Sequence, residues 1–496
     1  MRTKLLSVLL VLSTSLLLFT SWRSTHPSHR IVQLLEYGRH TTISITTDEH
    51  TWTFPGTSIN DSVPWTSEPL YGSHSVGFGG VLSSQWAALG NSGNPAKAGK
   101  AKPGNLSRTL DTYPRQIELA WEAPTVQQLL FSVATKADRA FEFMRLWPHW
   151  LQHGSPCQVV LPEEDRMHAD SLRANMTQLG LERCILHFST QDSYDMRVLS
   201  QVSIAMDYVR QGSFGTDVTP RWIIVGDDDT FWLDIRSVQR LASQYDSNEM
   251  IFMGGVTEAM AQYGAFGIQA YGGAGIIFSV SLAREMSTRM PDCEREFATS
   301  FGGDGKLTRC AALAMNRTKE DAMTVVDGLH QLDVPGDNTG MFQSGLPFIS
   351  IHHFIAAWVD IFPTWISGGD FFVSIDLLRD SVAFLGGDNL FKRFVFNDGR
   401  TLLTLGYSIT FYSQPLLESD LHSLEYTWAY DGYKLRYPDR PLIPEAPPNW
   451  NIKFKERRRQ YKRTFFLRRV ERLAEDSANF LFEDNSGGQI SYIWHT

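Results

Sequence analysis

The chain has little cysteine, and what it has is not arranged for metal. There are four cysteines in 496 residues, with no CxxC and no Cys/His zinc spacing. Neither a zinc module nor a disulfide-dense scaffold organises such a sequence. A surplus of positive charge is also missing. The 45 Lys and Arg stand against 54 Asp and Glu, a formal net charge of −9, which argues against nucleic acid as a partner. No internal repeat is present, which excludes solenoids and propellers. Long apolar runs are scarce too: residues 5–19 are Leu- and Val-rich and uncharged, but shorter than the roughly 20 residues of a typical spanning helix. What remains is the composition of a folded globular protein, 43% hydrophobic and 20% charged. The length implies about two or three domains.

Residues 5–19 follow Arg2 and Lys4, and Phe19, Trp22 and Arg23 interrupt any small-x-small cleavage site behind them. A short uncleaved anchor suits the thinner membranes of the early secretory pathway. With the two basic residues held on the cytoplasmic side, the bulk of the chain would face a lumen. The expected organisation is a cytoplasmic tail at 1–4, a signal-anchor helix at 5–21 and a Ser/Thr/Gly/Pro-rich stem at 22–115, in the Golgi or ER membrane. A cleaved signal peptide is the alternative. Sequons at Asn60, Asn105, Asn175 and Asn316 fit that compartment. The even cysteine count permits two disulfides in three connectivities, and pairing of sequence neighbours, Cys157 with Cys184 and Cys293 with Cys310, is the expected one.

Beyond the stem, short apolar runs alternate with segments of helical spacing. Residues 127–135, 157–161, 184–188, 222–225 and 250–254 read as buried strands, and 139–151 and 195–210 as amphipathic helices. That alternation predicts an α/β domain with a mostly parallel sheet over 116–363. After Pro363 the texture changes. Residues 391–396, the turn Asn397-Asp398-Gly399 and residues 401–411 predict a β-hairpin, so the extension 364–496 is expected to be β-rich. Its basic stretch 453–472, with Phe454, Phe465, Phe466 and Leu467 interleaved, reads as a solvated helical face whose aromatics dock on the sheet. Binding of an acidic partner or of lipid headgroups is the other reading.

The chain is organised around residues 221–232, RWIIVGDDDTFW. A strand buried on both faces would deliver Asp227, Asp228 and Asp229 to the edge of the sheet where open α/β sheets bind ligands. Three adjacent carboxylates repel one another, and a hard divalent cation would relieve that; a solvated acidic turn is the plainer alternative. Three further stretches converge on the same sheet edge in this reading. Tyr271-Gly272-Gly273-Ala274-Gly275 lets backbone approach a ligand closely, or simply turns. Asp304, in Gly303-Asp304-Gly305-Lys306-Leu307, is a loop carboxylate that acts as a general base or as a helix cap. His352 and His353 close a short apolar segment, where a suspected cation makes ligation plausible.

In this order the four stretches resemble the Fringe-like and core-1-type β1,3-glycosyltransferases of glycosyltransferase family 31. That family has a Trp separated by four residues from DDD, then GGAG, an acidic glycine-rich segment and a histidine near a phenylalanine. The early FSVATKADRAFEFMRLWPHW is similar to its opening strand and Arg/Trp-bearing helix. The resemblance covers about residues 120–360. It departs in the acidic segment, where only Gly303-Asp304 remains of an acidic pair and Thr308 stands in place of a glycine.

The resemblance implies a GT-A fold, a Rossmann-like sheet that binds a nucleotide sugar through a divalent ion, usually Mn²⁺. Asp229 would then coordinate the metal with Asp227 and His352, His353 being the fallback. Asp228, Thr135, Gly272 and Gly273 would contact the donor, and Asp304 would be the base of an inverting transfer. The implied partners are a UDP-sugar, galactose before N-acetylglucosamine, and a glycan or glycoprotein acceptor in β1,3 linkage. Two other readings stand beside it: a catalytically silent sugar-binding relative, and a metal-dependent phosphohydrolase, which needs a second set of ligands.

Overall fold

The computed structural model describes residues 29–37, 40–46, 51–54, 121–151, 154–355, 359–396, 400–416, 427, 443–445 and 460–495. The apolar runs read from the sequence form a seven-stranded sheet. Its order is Met323–Val325, Phe252–Gly254, Ile276–Ser279, Trp222–Gly226, Leu129–Ala134, Cys157–Pro162, Cys184–Ser189. All run the same way except Ile276–Ser279, which is antiparallel to both its neighbours. The sheet is therefore mixed and mostly parallel, with Trp222–Gly226 near its centre.

Successive side chains of a strand point to opposite faces, and here each face meets a different core. Leu130, Ile223, Val225, Ile276 and Phe278 pack under the helices Tyr194–Gln211, Val280–Glu296 and Gly303–Met315. Leu129, Phe131, Trp222, Ile224 and Ile277 point the other way. The core on that side also takes in Phe354, Leu378, Phe391, Tyr407, Phe480 and Tyr492. The stretches before and after Pro363 thus share one core, and the C-terminal region helps to cover the second face of the seven-stranded sheet.

That region contributes six strands to a nine-stranded sheet whose other three come from residues 29–54, in the order Arg393–Phe396, Thr401–Thr404, Ser408–Tyr412, Lys462–Ala474, Ser477–Glu483, Gln489–His495, His29–Tyr37, His40–Thr46, Thr51–Phe54. Every join is antiparallel except that of His29–Tyr37 with Gln489–His495. The hairpin forms between Arg393–Phe396 and Thr401–Thr404. Residues 401–411, expected as one strand, divide at Gly406, whose φ of +68° suits glycine. The helix expected over 453–472 is corrected where it is described: Lys462–Ala474 is a strand. Phe465, Phe466 and Leu467 are all buried. Three consecutive apolar side chains need two covered faces, which an interior strand has and a solvated helix lacks.

Three strands between residues 29 and 54 fall inside the stretch expected as a stem. The expected tail, anchor helix, Asn60 and Asn105 lie outside the described residues. Among the described residues no helix is long and apolar enough to cross a membrane. Asn175 is half-buried on a helix, and Asn316 is exposed at a helix end.

Both expected disulfides are present. Cys157 and Cys184 face each other on adjacent parallel strands. Cys293–Cys310 joins the helices Val280–Glu296 and Gly303–Met315 across the loop that separates them. The buried Lys306 holds the same loop, its Nζ donating to the carbonyls of Phe297 at 2.8 Å, Ala298 at 2.8 Å and Ser300 at 2.6 Å. Replacing Cys293 and Cys310 together by alanine is expected to lower the unfolding free energy by about 3 kcal/mol, the loop-closure value for a short cross-link. Denaturant titration measures it, and an unchanged midpoint would mean that Lys306 and packing hold the loop alone.

Candidate active site

The strand Trp222–Gly226 ends at Gly226, and a short turn follows in which the Asp227 N–H donates to Thr230 Oγ1 at 2.9 Å. The chain then re-enters order as Phe231–Trp232, which pairs antiparallel with Ser350–Ile351, Phe231 facing Ile351. That two-residue ladder brings His352 against the acidic turn from 123 residues away. Its Nε2 lies 3.1 Å from Asp229 Oδ1 and 3.6 Å from Asp227 Oδ2. One donor atom from each of Asp227, Asp229 and His352 lies within 4.8 Å of the others.

The orientation of this histidine is fixed from behind. Nδ1 is 3.2 Å from the Gln331 carbonyl oxygen, which can only accept, so Nδ1 carries the proton. A neutral imidazole would then aim its Nε2 lone pair at two carboxylates, a repulsion that requires a proton or a cation between them. Burial disfavours the charged imidazole, yet Asp229 and Asp227 outweigh it and push its pKa up to about 9. Burial would raise Asp229, but His352 and Arg139 hold it at about 2. Asp227 is pushed up to about 6, chiefly by burial, which His352 only partly offsets. Two carboxylates and one imidazole nitrogen match an ion that accepts both donor types, as Mn²⁺ does.

Asp228 faces a different set of partners. It accepts from Arg139 Nε at 2.8 Å and Arg139 Nη2 at 2.5 Å, and from the Thr135 hydroxyl. Its backbone carbonyl accepts from Trp147 Nε1 at 3.3 Å. Arg139 also reaches Asp229 Oδ2 at 3.5 Å. Asp228 and Thr135, expected at the donor, are thus bonded to each other and brace the turn. Arg139 and Trp147 lie in the early segment whose resemblance was noted, but no role was assigned to either.

The glycines are where the two acidic segments and the histidine meet. A Cβ at Gly272 would lie 2.8 Å from Asp304 Oδ1 and 2.9 Å from Asp227 Oδ1. One at Gly273 would lie 2.1 Å from His352 Nδ1. Asp304 stands in the first turn of the helix Gly303–Met315 and accepts from the Gly272 N–H. Burial, reinforced by Asp227, pushes its pKa up to about 8. His353, the fallback, pairs instead with Asp333 at 2.9 Å. Gly273→Ala is expected to displace the imidazole and weaken cation binding on the order of 10–100-fold. Mn²⁺ titration reads this, and unchanged affinity would remove His352 from the ligand set.

Comparison with known proteins comes from several directions. Residues 172–347 match the family model described as Fringe-like. Residues 262–478 match one described as a protein of unknown function, DUF604. No curated protein matches. Among solved structures, the chain is similar to the mannosyltransferase PcManGT from Pyrobaculum calidifontis, solved with GDP-Man and Mn²⁺, at 12% identity and a TM-score of 0.27, over 45% of this chain and 63% of that one. It is similar to mouse xyloside xylosyltransferase 1 at 12% identity and a TM-score of 0.25, over 42% of this chain and 87% of that one. It is also similar to the galactosyltransferase LgtC at 9% identity and a TM-score of 0.28, over 42% of this chain and 76% of that one. The chain thus spans less than two thirds of the first of these structures.

Proposed function

We propose that this chain, a Fringe-like glycosyltransferase, moves a hexose from a UDP-sugar to a hydroxyl of a glycan or glycoprotein, with inversion and with the help of a divalent cation. The observation that carries the reading is the His352 Nε2 lone pair held against Asp227 and Asp229 by the Gln331 carbonyl. Those three side chains would hold the ion, Mn²⁺ in the first instance, within a GT-A frame. When bound it supplies Lewis-acid neutralisation of the diphosphate leaving group. Gly272 and Gly273, having no side chains, leave room for the Asp304, Asp227 and His352 side chains to close on one another.

Asp304 is the group placed to take a proton. The acceptor hydroxyl gives its proton to an Asp304 oxygen as its own oxygen bonds to the anomeric carbon. The bond from that carbon to the diphosphate breaks on the opposite side, which inverts the configuration. Arg139 holds Asp228, and through it the turn bearing Asp227 and Asp229, so these carboxylates do not reorganise during the step. UDP-galactose is the first donor to test and UDP-N-acetylglucosamine the second, with β1,3 linkage expected. A luminal, membrane-anchored placement in the Golgi or ER belongs to the same proposal. A two-cation phosphohydrolase would need more ligands than the one cluster present among the described residues.

The test is calorimetric binding of both UDP-sugars to the full chain, with Mn²⁺ and with chelator, followed by UDP release on adding sugar acceptors. Cation-dependent binding with transfer is the expected result. Binding without turnover on any acceptor would favour the silent relative, and no binding would remove the nucleotide-sugar reading. The pH dependence follows from His352: its proton, held up to about pH 9, must leave before the ion enters. Mn²⁺ affinity is therefore expected to rise with pH, by about tenfold per unit through the neutral range. A flat profile would contradict the assignment.

A further inference from the structure

Two exposed aromatic side chains lie on segments that adjoin the Asp304 helix, and the chemistry above uses neither ring. Phe301, three residues before Asp304, is 77% exposed. Its ring lies flat on Phe266, with centroids 5.4 Å apart and planes 3° apart. Tyr194 is 43% exposed, yet its hydroxyl turns inward to donate to Asp227 Oδ1 at 3.3 Å. The helix that Tyr194 opens packs closely on the other side of Gly303, where a Cβ would lie 2.5 Å from Val198 Cβ. The segment following Phe266 also reaches the Asp304 helix: Gln269 Oε1 would lie 3.0 Å from a Cβ at Gly305. The Phe301–Phe266 stack and Tyr194 therefore border the same pair of segments that carries Asp304 and Gly272.

Single exposed apolar residues are ordinary on protein surfaces. Phe301 differs because it is held outward. The loop before it is pinned at three carbonyls by Lys306, and the helices on both sides are joined by Cys293–Cys310. Gly302, with φ +73°, then turns the chain directly into the Asp304 helix. A loop fixed this firmly could have turned a phenylalanine inward, and it presents one to solvent at the edge of the site. The π face of an aromatic ring is electron-rich. The C–H bonds on one face of a pyranose are its apolar, weakly positive complement.

We infer that Phe301, backed by Phe266 and with Tyr194 on the neighbouring helix, is the acceptor platform: it receives the C–H face of a pyranose ring whose hydroxyl is delivered to Asp304. This rests on the transferase reading of Asp304, and it names the acceptor as a terminal sugar ring rather than a protein hydroxyl. The platform orients the acceptor sugar, Asp304 takes the proton of its hydroxyl, and the cation ligands act on the donor side.

Saturation-transfer NMR of the full chain tests it with methyl β-galactopyranoside, methyl N-acetyl-β-glucosaminide and methyl α-mannopyranoside as probes. At least one glycoside should receive saturation at its ring C–H protons. Phe301→Ser should weaken that glycoside's binding on the order of tenfold, the worth of one aromatic stacking contact. Phe301→Tyr should retain it, and Met167→Ser, at an exposed position on a separate segment, should not alter it. No saturation of any glycoside, or equal binding by Phe301→Ser, overturns the platform. Mn²⁺-dependent UDP binding on the same samples separates the two claims. UDP binding without glycoside binding overturns the platform and leaves the transferase. Glycoside binding that depends on Phe301 in a protein that ignores UDP supports the platform and removes the transferase.

Discussion

Asp304→Asn is expected to leave Mn²⁺-dependent UDP-sugar binding in place and to lower the rate of transfer by about 10²–10⁴-fold, the usual worth of a positioned general base. The substitution keeps the shape of the side chain but removes its ability to take a proton. Burial, and after it the neighbouring Asp227 carboxylate, pushes the pKa of Asp304 up to about 8 in the cation-free protein. Its base-competent carboxylate therefore accumulates as the pH rises through that value, and a cation held by Asp227 would extend the carboxylate form to lower pH. Single-turnover rates with the donor pre-bound isolate the step. Normal transfer by the variant would show that another group takes the proton.

Asp229→Ala should act earlier, on binding itself. Asp229 is the carboxylate nearest His352 Nε2, and Arg139 reaches its other oxygen. Its loss removes one of three ligands, so Mn²⁺ affinity should fall by more than about 100-fold, beyond what outer partners of a metal site are worth. Cation-dependent UDP-sugar binding should disappear with it. Calorimetry with Mn²⁺ alone and then with UDP separates the two losses. Retention of both at unaltered affinity would place the cation elsewhere. The contrast between these variants, one losing transfer and the other losing the donor, is what the division of labour requires.

The elements that proved readable were those whose signal is local. WIIV followed by DDD marks a buried strand ending in acids, because burial on both faces leaves an unbroken apolar run. Asp304 at a helix start was readable from its glycines. What escaped depends on contacts between distant segments. Arg139 is bound to Asp228 across 89 residues, and nothing in ADRAFEF marks that arginine from its neighbours. The Gln331 carbonyl that orients His352 is a backbone atom and has no sequence signature. The charges of residues 453–472 suggest a helix, whereas the sheet neighbours of Lys462–Ala474 make that part a strand. Tyr194, whose hydroxyl meets Asp227, lies at a helix N-terminus where a tyrosine carries no particular expectation.

The core shared by both halves of the chain also sets a timetable for biosynthesis. Phe342 and Tyr407 pack in the same cluster as Phe480 and Tyr492, and the Tyr492 hydroxyl accepts from the Gly406 N–H at 3.3 Å. At ordinary elongation rates, roughly 8–30 s pass between synthesis of residue 342 and of residue 492. Through that interval the second face of the seven-stranded sheet is covered only in part, by side chains such as Phe143, Trp147 and Phe342, and lacks Phe480 and Tyr492. A ribosome that stalls or stops there releases a chain in which Asp227, Asp229 and His352 are all present but part of the core is open, so quality control would meet this chain before any ligand does.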